Sequence, residues 1–194
     1  MAFKVGITGG IGSGKSYVCQ ILEKLNYPVY YSDAASKILT DTHPIIQQGL
    51  IDLVGEEVYV DGKLNKPFLA SKIFQDDELR MKVNALIHPI VRQDFSDFAS
   101  SHSPGIVFNE AAILFETGAF KTLDFNVLVT ADLEIRIERT MMRDGLSREE
   151  VLQRIAKQWE DEKKMELADF VIYNDGRPLL EQIDQLILVL NQRM

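Results

Sequence analysis

Eight consecutive residues, Gly9-Gly10-Ile11-Gly12-Ser13-Gly14-Lys15-Ser16, combine four glycines with a lysine and two hydroxyl side chains. Gly9 and the terminal Gly14-Lys15-Ser16 satisfy the spacing G-x-x-x-x-G-K-[ST] of a phosphate-binding loop. Each residue type has a physical task at its place. Glycines let successive backbone N–H groups turn inward on an anion without Cβ clashes. A helix starting near Gly14 would aim its partial positive end at the same point. Lys15 has the reach for the β- and γ-phosphates, and the Ser16 hydroxyl suits Mg²⁺. A plain glycine-rich turn between strand and helix is the structural alternative. The apolar run Phe3–Ile7 before the loop, the helix-like Tyr17–Leu22 after it and the Lys-Ser pair all weigh against that alternative. The chain is therefore expected to bind a nucleoside triphosphate.

Three further groups could act beside such a loop. Asp33 follows the apolar Pro28–Tyr31 and stands either as a base that takes the proton of an attacking hydroxyl or as the cap of a helix Ala34–Leu39. Glu110 ends the apolar run Ile106–Asn109, where an acid can hold Mg²⁺ through water, orient Lys15 or merely close a strand. Arg136, Arg139 and Arg143 are spaced three and four apart and so share one helix face. Such a face is commonly solvated and paired with neighbours such as Glu134 and Glu138. Over a phosphate site it could instead surround the transferring group, because guanidinium stays charged and binds phosphate bidentately. Arg143, next to the turn Asp144-Gly145, is favoured for that role. His88 before Pro89 is expected at a bend between two helices, and Cys19 as a buried thiol on the apolar face of the first helix. With three His and one Cys, no zinc-ligand spacing is present.

The elements that must hold these residues read as alternating strands and helices. Buried strands are expected at Phe3–Ile7, Tyr27–Tyr31, Gly105–Asn109, Phe125–Thr130 and Asp169–Tyr173. The stripe Leu179, Leu180, Ile183, Leu186, Ile187 and Leu190 marks a last amphipathic helix. The alternation predicts an α/β fold with a five-stranded parallel sheet flanked by helices. About seventy residues between Asp33 and Pro104 exceed what one crossover needs. Their pattern is helical, with starts at Thr42-His43-Pro44 and near Lys66-Pro67 and a long helix near Asp77–His102, so a helical acceptor-binding insertion is expected. Leu133–Ala168 reads as a charged helical pair broken at Asp144–Ser147, with Ser147 and Glu150 forming a capping box, and it has the character of a lid. The division is then residues 1–33, 105–132 and 166–194 as nucleotide-binding core, 34–104 as insertion and 133–165 as lid.

Composition narrows the class. The 194 residues carry a net charge of −8, which argues against a general nucleic-acid binder but not against a phosphate-bearing substrate. No apolar run reaches the roughly 20 residues that span a bilayer. The start Met-Ala-Phe-Lys-Val-Gly-Ile lacks signal-peptide architecture, and one cysteine fits a reducing compartment, so a cytoplasmic protein is expected. A monomer or weak homo-oligomer without membrane or nucleic-acid partners is the expectation.

Taken together, the chain resembles the dephospho-CoA kinase family over essentially its full length. The resemblance rests on Thr8–Ser16, Asp33-Ala34, Ile87-His88-Pro89, Ile113-Leu114-Phe115-Glu116, Arg139–Asp144, Gln158 and Ala168–Gly176. It implies the P-loop NTPase fold with a helical substrate-binding insertion and a helical lid. It further implies transfer of the ATP γ-phosphoryl group to the ribose 3′-hydroxyl of dephospho-CoA, the last step of coenzyme A synthesis, with Mg²⁺. By position, Asp33 would be the base, Lys15 the phosphate clamp and Arg143 the lid arginine. ATP would be held by Gly9, Gly10, Ile11, Gly12, Ser13, Gly14, Lys15, Ser16, Tyr17, Arg139, Asn174 and Gly176. Substrate contacts would fall on Thr8, Asp33, His88, Leu114 and Glu116, and Mg²⁺ on Ser16, with Asp33 or Glu110 through water. Two positions depart from the family pattern. Tyr17 replaces a threonine, and Ala111-Ala112-Ile113-Leu114 lacks the usual proline.

Two other readings compete. Another P-loop small-molecule kinase, acting on a nucleoside monophosphate or a sugar acid, would share the insertion and the lid. A GTPase-type switch would need Asn-Lys-x-Asp; the nearest string, Asn65-Lys66-Pro67-Phe68, lacks the Asp. Asp52-Leu53-Val54-Gly55 fits Asp-x-x-Gly only superficially, being inside the insertion.

Overall fold

Five parallel strands form the central sheet of the computed structural model, which describes residues 1–74 and 76–194. In chain order the strands are β1 (Phe3–Thr8), β2 (Val29–Tyr31), β3 (Tyr59–Val60), β4 (Lys63–Leu64), β5 (Ile106–Glu110), β6 (Phe125–Thr130) and β7 (Phe170–Tyr173). The helices are α1 (Lys15–Lys24), α2 (Ser32–Thr42), α3 (Pro44–Val54), α4 (Lys66–Ile73), α5 (Asp77–Ser101), α6 (Leu133–Asp144), α7 (Arg148–Ile155), α8 (Asp161–Met165) and α9 (Leu179–Arg193). The chain divides into two units, one of Met1–Tyr31 with Ala99–Met194 and one of Ser32–Phe98.

In the first unit the sheet order is β2-β5-β1-β6-β7. The expected strands are all present, with ends shifted by a residue or two. All six residues of β6 are buried, as a central strand covered on both faces requires. Val5, Ile7, Val127 and Val129 meet Val18, Cys19 and Leu22 of α1 and Ile183, Leu186 and Leu190 of α9 in one core. Each such side chain contributes about 1.5–3 kcal/mol by leaving water. The strand order reverses at the central β1: β2 and β5 lie on one side of it, and β6 and β7 on the other. In open parallel sheets that reversal opens a crevice beyond the carboxyl ends of the strands.

The second unit has its own core of Ile46, Leu50, Val58, Leu69 and Val83, with Leu86, Ile87 and Ile90 of α5 packed against it. Helix starts fall where the sequence places them, with His43 before Pro44 and Asn65 accepting the Phe68 N–H at 3.3 Å. Three expectations for this region are corrected. α2 begins at Ser32, so Asp33 lies in its first turn rather than capping a helix from Ala34. The carboxylate there still favours the positive end of the helix. α5 runs unbroken through His88-Pro89, with no bend into two helices. An interior proline costs roughly 3 kcal/mol, which the burial of Val83, Leu86, Ile87 and Ile90 on either side of it offsets. The unit is also not wholly helical. β3 and β4 form a hairpin whose Asp61 and Gly62 have φ of 51° and 74°, as a tight two-residue turn demands.

Among the described residues no helix is long and apolar enough to cross a membrane.

Candidate active site

The phosphate-binding loop is pinned between the two strands that flank β1. Ile7 is in register with Glu110 of β5, and Thr8 with Leu128 of β6, so the loop leaves the sheet at its centre. Gly12 and Gly14 carry it through φ of 78° and 88°, a backbone region that side-chain-bearing residues rarely adopt. Space is equally restrictive. A Cβ on Gly12 would lie 2.2 Å from the Arg136 carbonyl oxygen, and one on Gly14 2.0 Å from Asn174 Nδ2. Gly14 precedes α1, and Lys15 opens that helix, so the lysine stands at its partial positive end.

Beside the loop lies a cleft of about 350 Å³ lined by residues 9–16, Ala112, Arg139, Arg143 and Gln158. Its charged side chains are Lys15, Arg139 and Arg143, all positive. Lys15 Nζ donates to Glu110 Oε1, and both side chains are largely buried. Of the alternatives for Glu110, orientation of Lys15 is the one the geometry displays. Arg139 Nη1 and Ser13 Oγ are buried with no hydrogen-bond partner among the described residues. Unpaired buried polar groups are costly, and here they border a cavity that fits an anion. Arg143 is instead bound bidentately to its neighbour, Nε to Asp144 Oδ1 at 2.7 Å and Nη2 to Oδ2 at 3.0 Å. The hydrogen bonds from Arg143 hold the Asp144 carboxyl below the usual carboxylate range. A larger cavity, about 680 Å³, shares Gln158 but is walled by Asp132, Glu160, Asp161, Glu162 and Asp175 against only Arg136 and Arg177, each already paired with one of those carboxylates, so its charge is net negative. That charge is of the wrong sign for phosphate, so the smaller basic cleft is the candidate site.

The three arginines do not act alike. Arg136 is 6% exposed and turned inward, where Nε donates to the Ile11 carbonyl at 3.0 Å and Nη1 to Asp161 Oδ2 at 2.9 Å. It is a strut beneath the loop, while Glu134, its expected neighbour on a solvated face, pairs with Arg148. Gln158 Oε1 accepts the Ile11 N–H at 2.9 Å, and Asn174 Nδ2 donates to the Ser13 carbonyl at 2.9 Å. Spacing gives no sign of these supports, because Ile11 and Arg136 are 125 residues apart and Ile11 and Gln158 147. Gln158 entered the sequence reading through the family resemblance alone, and Asp161 not at all.

The remaining candidates are placed as follows. Tyr17 is 57% exposed and does not line the phosphate cleft. The Thr8 hydroxyl donates to the Ala112 carbonyl at 3.4 Å, at the segment where the family proline is missing. Leu114 is fully buried and packs toward Gly6, so its side chain belongs to the core. Glu116 Oε1 accepts the Trp159 N–H at 3.2 Å. Gly176, at φ 101°, shapes the loop after β7. In the second unit, Asp33 stands two residues past the end of β2, and His88 is half-buried with its basicity lowered by burial and by Arg92. Cys19 is buried, as expected, and burial pushes its thiol up to about 12. Such a thiol is inert.

The family model of dephospho-CoA kinase matches residues 3–179. A dephospho-CoA kinase of Bacteroides fragilis is 49% identical over 197 residues, spanning 100% of this chain and 96% of that protein. The crystal structure of the Thermus thermophilus protein TT1252 is 36% identical, with a TM-score of 0.85 over 100% of this chain and 98% of that one. A dephospho-CoA kinase from Campylobacter jejuni, 21% identical, shares the fold with a TM-score of 0.73 and covers 100% of both chains.

Proposed function

The chain belongs to the dephospho-CoA kinase family and phosphorylates dephospho-CoA in coenzyme A biosynthesis, and we propose that it does so by in-line transfer from ATP with Asp33 as base. The observation that carries this reading is the basic cleft formed by residues 9–16 with Arg139 and Arg143. The ribose 3′-oxygen bonds to the γ-phosphorus as the bond to the bridging oxygen of ADP breaks. Asp33 takes the hydroxyl proton and passes it to solvent. Lys15, held by Glu110, neutralises the phosphates; Arg139 supplies a donor with no partner among the described residues, and Arg143 exchanges Asp144 for the transferring group.

The residues present fit Mg²⁺. Ser16 lines the cleft and the Glu110 carboxylate stands beside Lys15, while no group of three or more His, Cys, Asp or Glu among the described residues forms a cage. This suits a cation that takes most of its ligands from phosphates and water. When bound there it would offset charge on the β- and γ-phosphate oxygens. The buried, inert Cys19 fits a reducing compartment, and we place the enzyme in the cytoplasm.

An assay of ADP release against a panel of acceptors tests the reading. Release with dephospho-CoA and product phosphorylated at the 3′-position is expected. Turnover on a nucleoside monophosphate or sugar acid, but not on dephospho-CoA, would overturn it.

A further inference from the structure

Lys164 of α8 is fully buried, a placement that a lysine adopts only for a reason. Its Nζ lies 3.3 Å from Glu116 Oε1, an ion pair by distance. Neither Nζ nor Glu116 Oε2 has a hydrogen bond among the described residues. A buried pair so sparsely satisfied adds little stability, because desolvation consumes most of its attraction. What it does have is a defined connection. Glu116 Oε1 also accepts the Trp159 N–H, and the adjacent Gln158 Oε1 accepts the N–H of Ile11 in the phosphate loop. One helical turn before Lys164, Asp161 takes Arg136 Nη1, and Arg136 Nε reaches the carbonyl of the same Ile11. Both faces of Ile11, N–H and C=O, thus lead back to the five-residue helix α8.

We propose that Lys164 is a positioning residue for the nucleotide site: through Glu116 and the Trp159 backbone it fixes Gln158, and so the orientation of the Ile11 peptide in the phosphate loop. The proposal rests on that loop being the ATP site, but its primary test does not depend on the acceptor. The route is longer than the one through Arg136 and Asp161, yet it holds the Gly10–Ile11 peptide through its N–H, whereas Arg136 holds the next peptide, Ile11–Gly12, through its carbonyl.

The test uses Lys164→Met in the full chain and the double variant Lys164→Met with Glu116→Leu, which removes both charges while keeping apolar volume. Amide exchange is followed residue by residue, alongside KM for ATP and for dephospho-CoA. Ile11 exchange is expected to accelerate about tenfold in both variants while amides of β6 keep their rates. KM for ATP should rise by a similar factor in both, KM for dephospho-CoA should stay within about twofold in Lys164→Met, where Glu116 is intact, and Lys164→Arg should lose less than Lys164→Met. A uniform acceleration of all amides, or no selective change at Ile11, would overturn the proposal even if the single variant is destabilised. Selective exchange at Ile11 in a protein without dephospho-CoA kinase activity would uphold it while sinking the substrate assignment.

Discussion

At the scale of single residues, the proposed chemistry separates binding from transfer. Asp33→Asn keeps the size of the side chain and removes its basicity, so kcat should fall by about 10²–10⁴ with ATP affinity nearly unchanged. Isothermal titration with ATP and single-turnover kinetics check both halves, and near-normal transfer would remove Asp33 from the base role. Arg139 and Arg143 should divide differently. Arg139, whose buried Nη1 has no hydrogen-bond partner among the described residues, should act mainly in binding, so Arg139→Ala raises KM for ATP. Arg143 must first leave Asp144, an exchange that suits charge developing during transfer. Arg143→Ala should therefore lower kcat, by up to about 10³ for an arginine on the transition state, with little change in KM. Steady-state kinetics on both variants decide it, and a reversed pattern would exchange the two roles. That Lys15 and Ser16 line the cleft was legible in the sequence, because their placement is local, set by spacing within one turn. Arg136 was not: its partners Ile11 and Asp161 come from distant segments, and nothing in the helical spacing says which arginine turns inward.

At the scale of elements, α6 and α7 are held by exposed charges. Glu134 pairs with Arg148, Asp144 with Arg143 and Arg154, and Glu150 closes the capping box at Ser147. All three carboxyls sit below their ordinary values, through the hydrogen bonds they accept from Arg148, Arg143 and Ser147 respectively. Groups depressed in the folded state stabilise it above their ordinary values, about 4, and lose that contribution as pH falls through the folded ones. His88 obeys the same sign in a higher window. The unfolded chain takes up its proton near the ordinary value of about 6.5, while the folded one resists until lower pH. Stability of the second unit should thus decline from about pH 6.5 downward, before α6 and α7 loosen near pH 4. Denaturant melts from pH 8 to 3 check this. His88→Gln should abolish the upper decline, and a decline that persists would assign it elsewhere. Ser147→Ala should cost α7 about 1 kcal/mol, read as faster exchange of Val151 and neighbouring amides. Caps of this kind are readable because they lie within four consecutive residues, here Ser147 to Glu150. The hairpin at Asp61-Gly62 carried an equally local signal that helical patterning around it obscured. The continuity of α5 through Pro89 had no such signal, since its warrant is the core formed by Leu86, Ile87 and Ile90 with other elements.

At the scale of the whole molecule, a chain of net charge −8 with a phosphate-bearing substrate needs local positive charge, and Lys15, Arg139 and Arg143 supply it at one cleft. The order β2-β5-β1-β6-β7 sets that cleft at the end of the central strand, where Glu110 and the phosphate loop converge. The loop, Arg139, Arg143, Gln158 and Asn174 all belong to the first unit, and the proposed acceptor segment, residues 34–104, falls almost wholly in the second. The proposed division therefore predicts separable footprints. ATP alone should slow amide exchange across residues 9–20 and at Asn174, leaving residues 34–98 unchanged. Dephospho-CoA alone should do the reverse, slowing exchange along α2–α5. At a ligand concentration one hundred times Kd, linkage limits the gain to about 2.7 kcal/mol, so globally exchanging amides in the occupied unit slow by up to about a hundredfold. Comparison of the two single-ligand maps by mass spectrometry decides the point. Protection by dephospho-CoA confined to residues 9–20 would place the acceptor on the sheet and end the assignment of the helical unit as its binding domain.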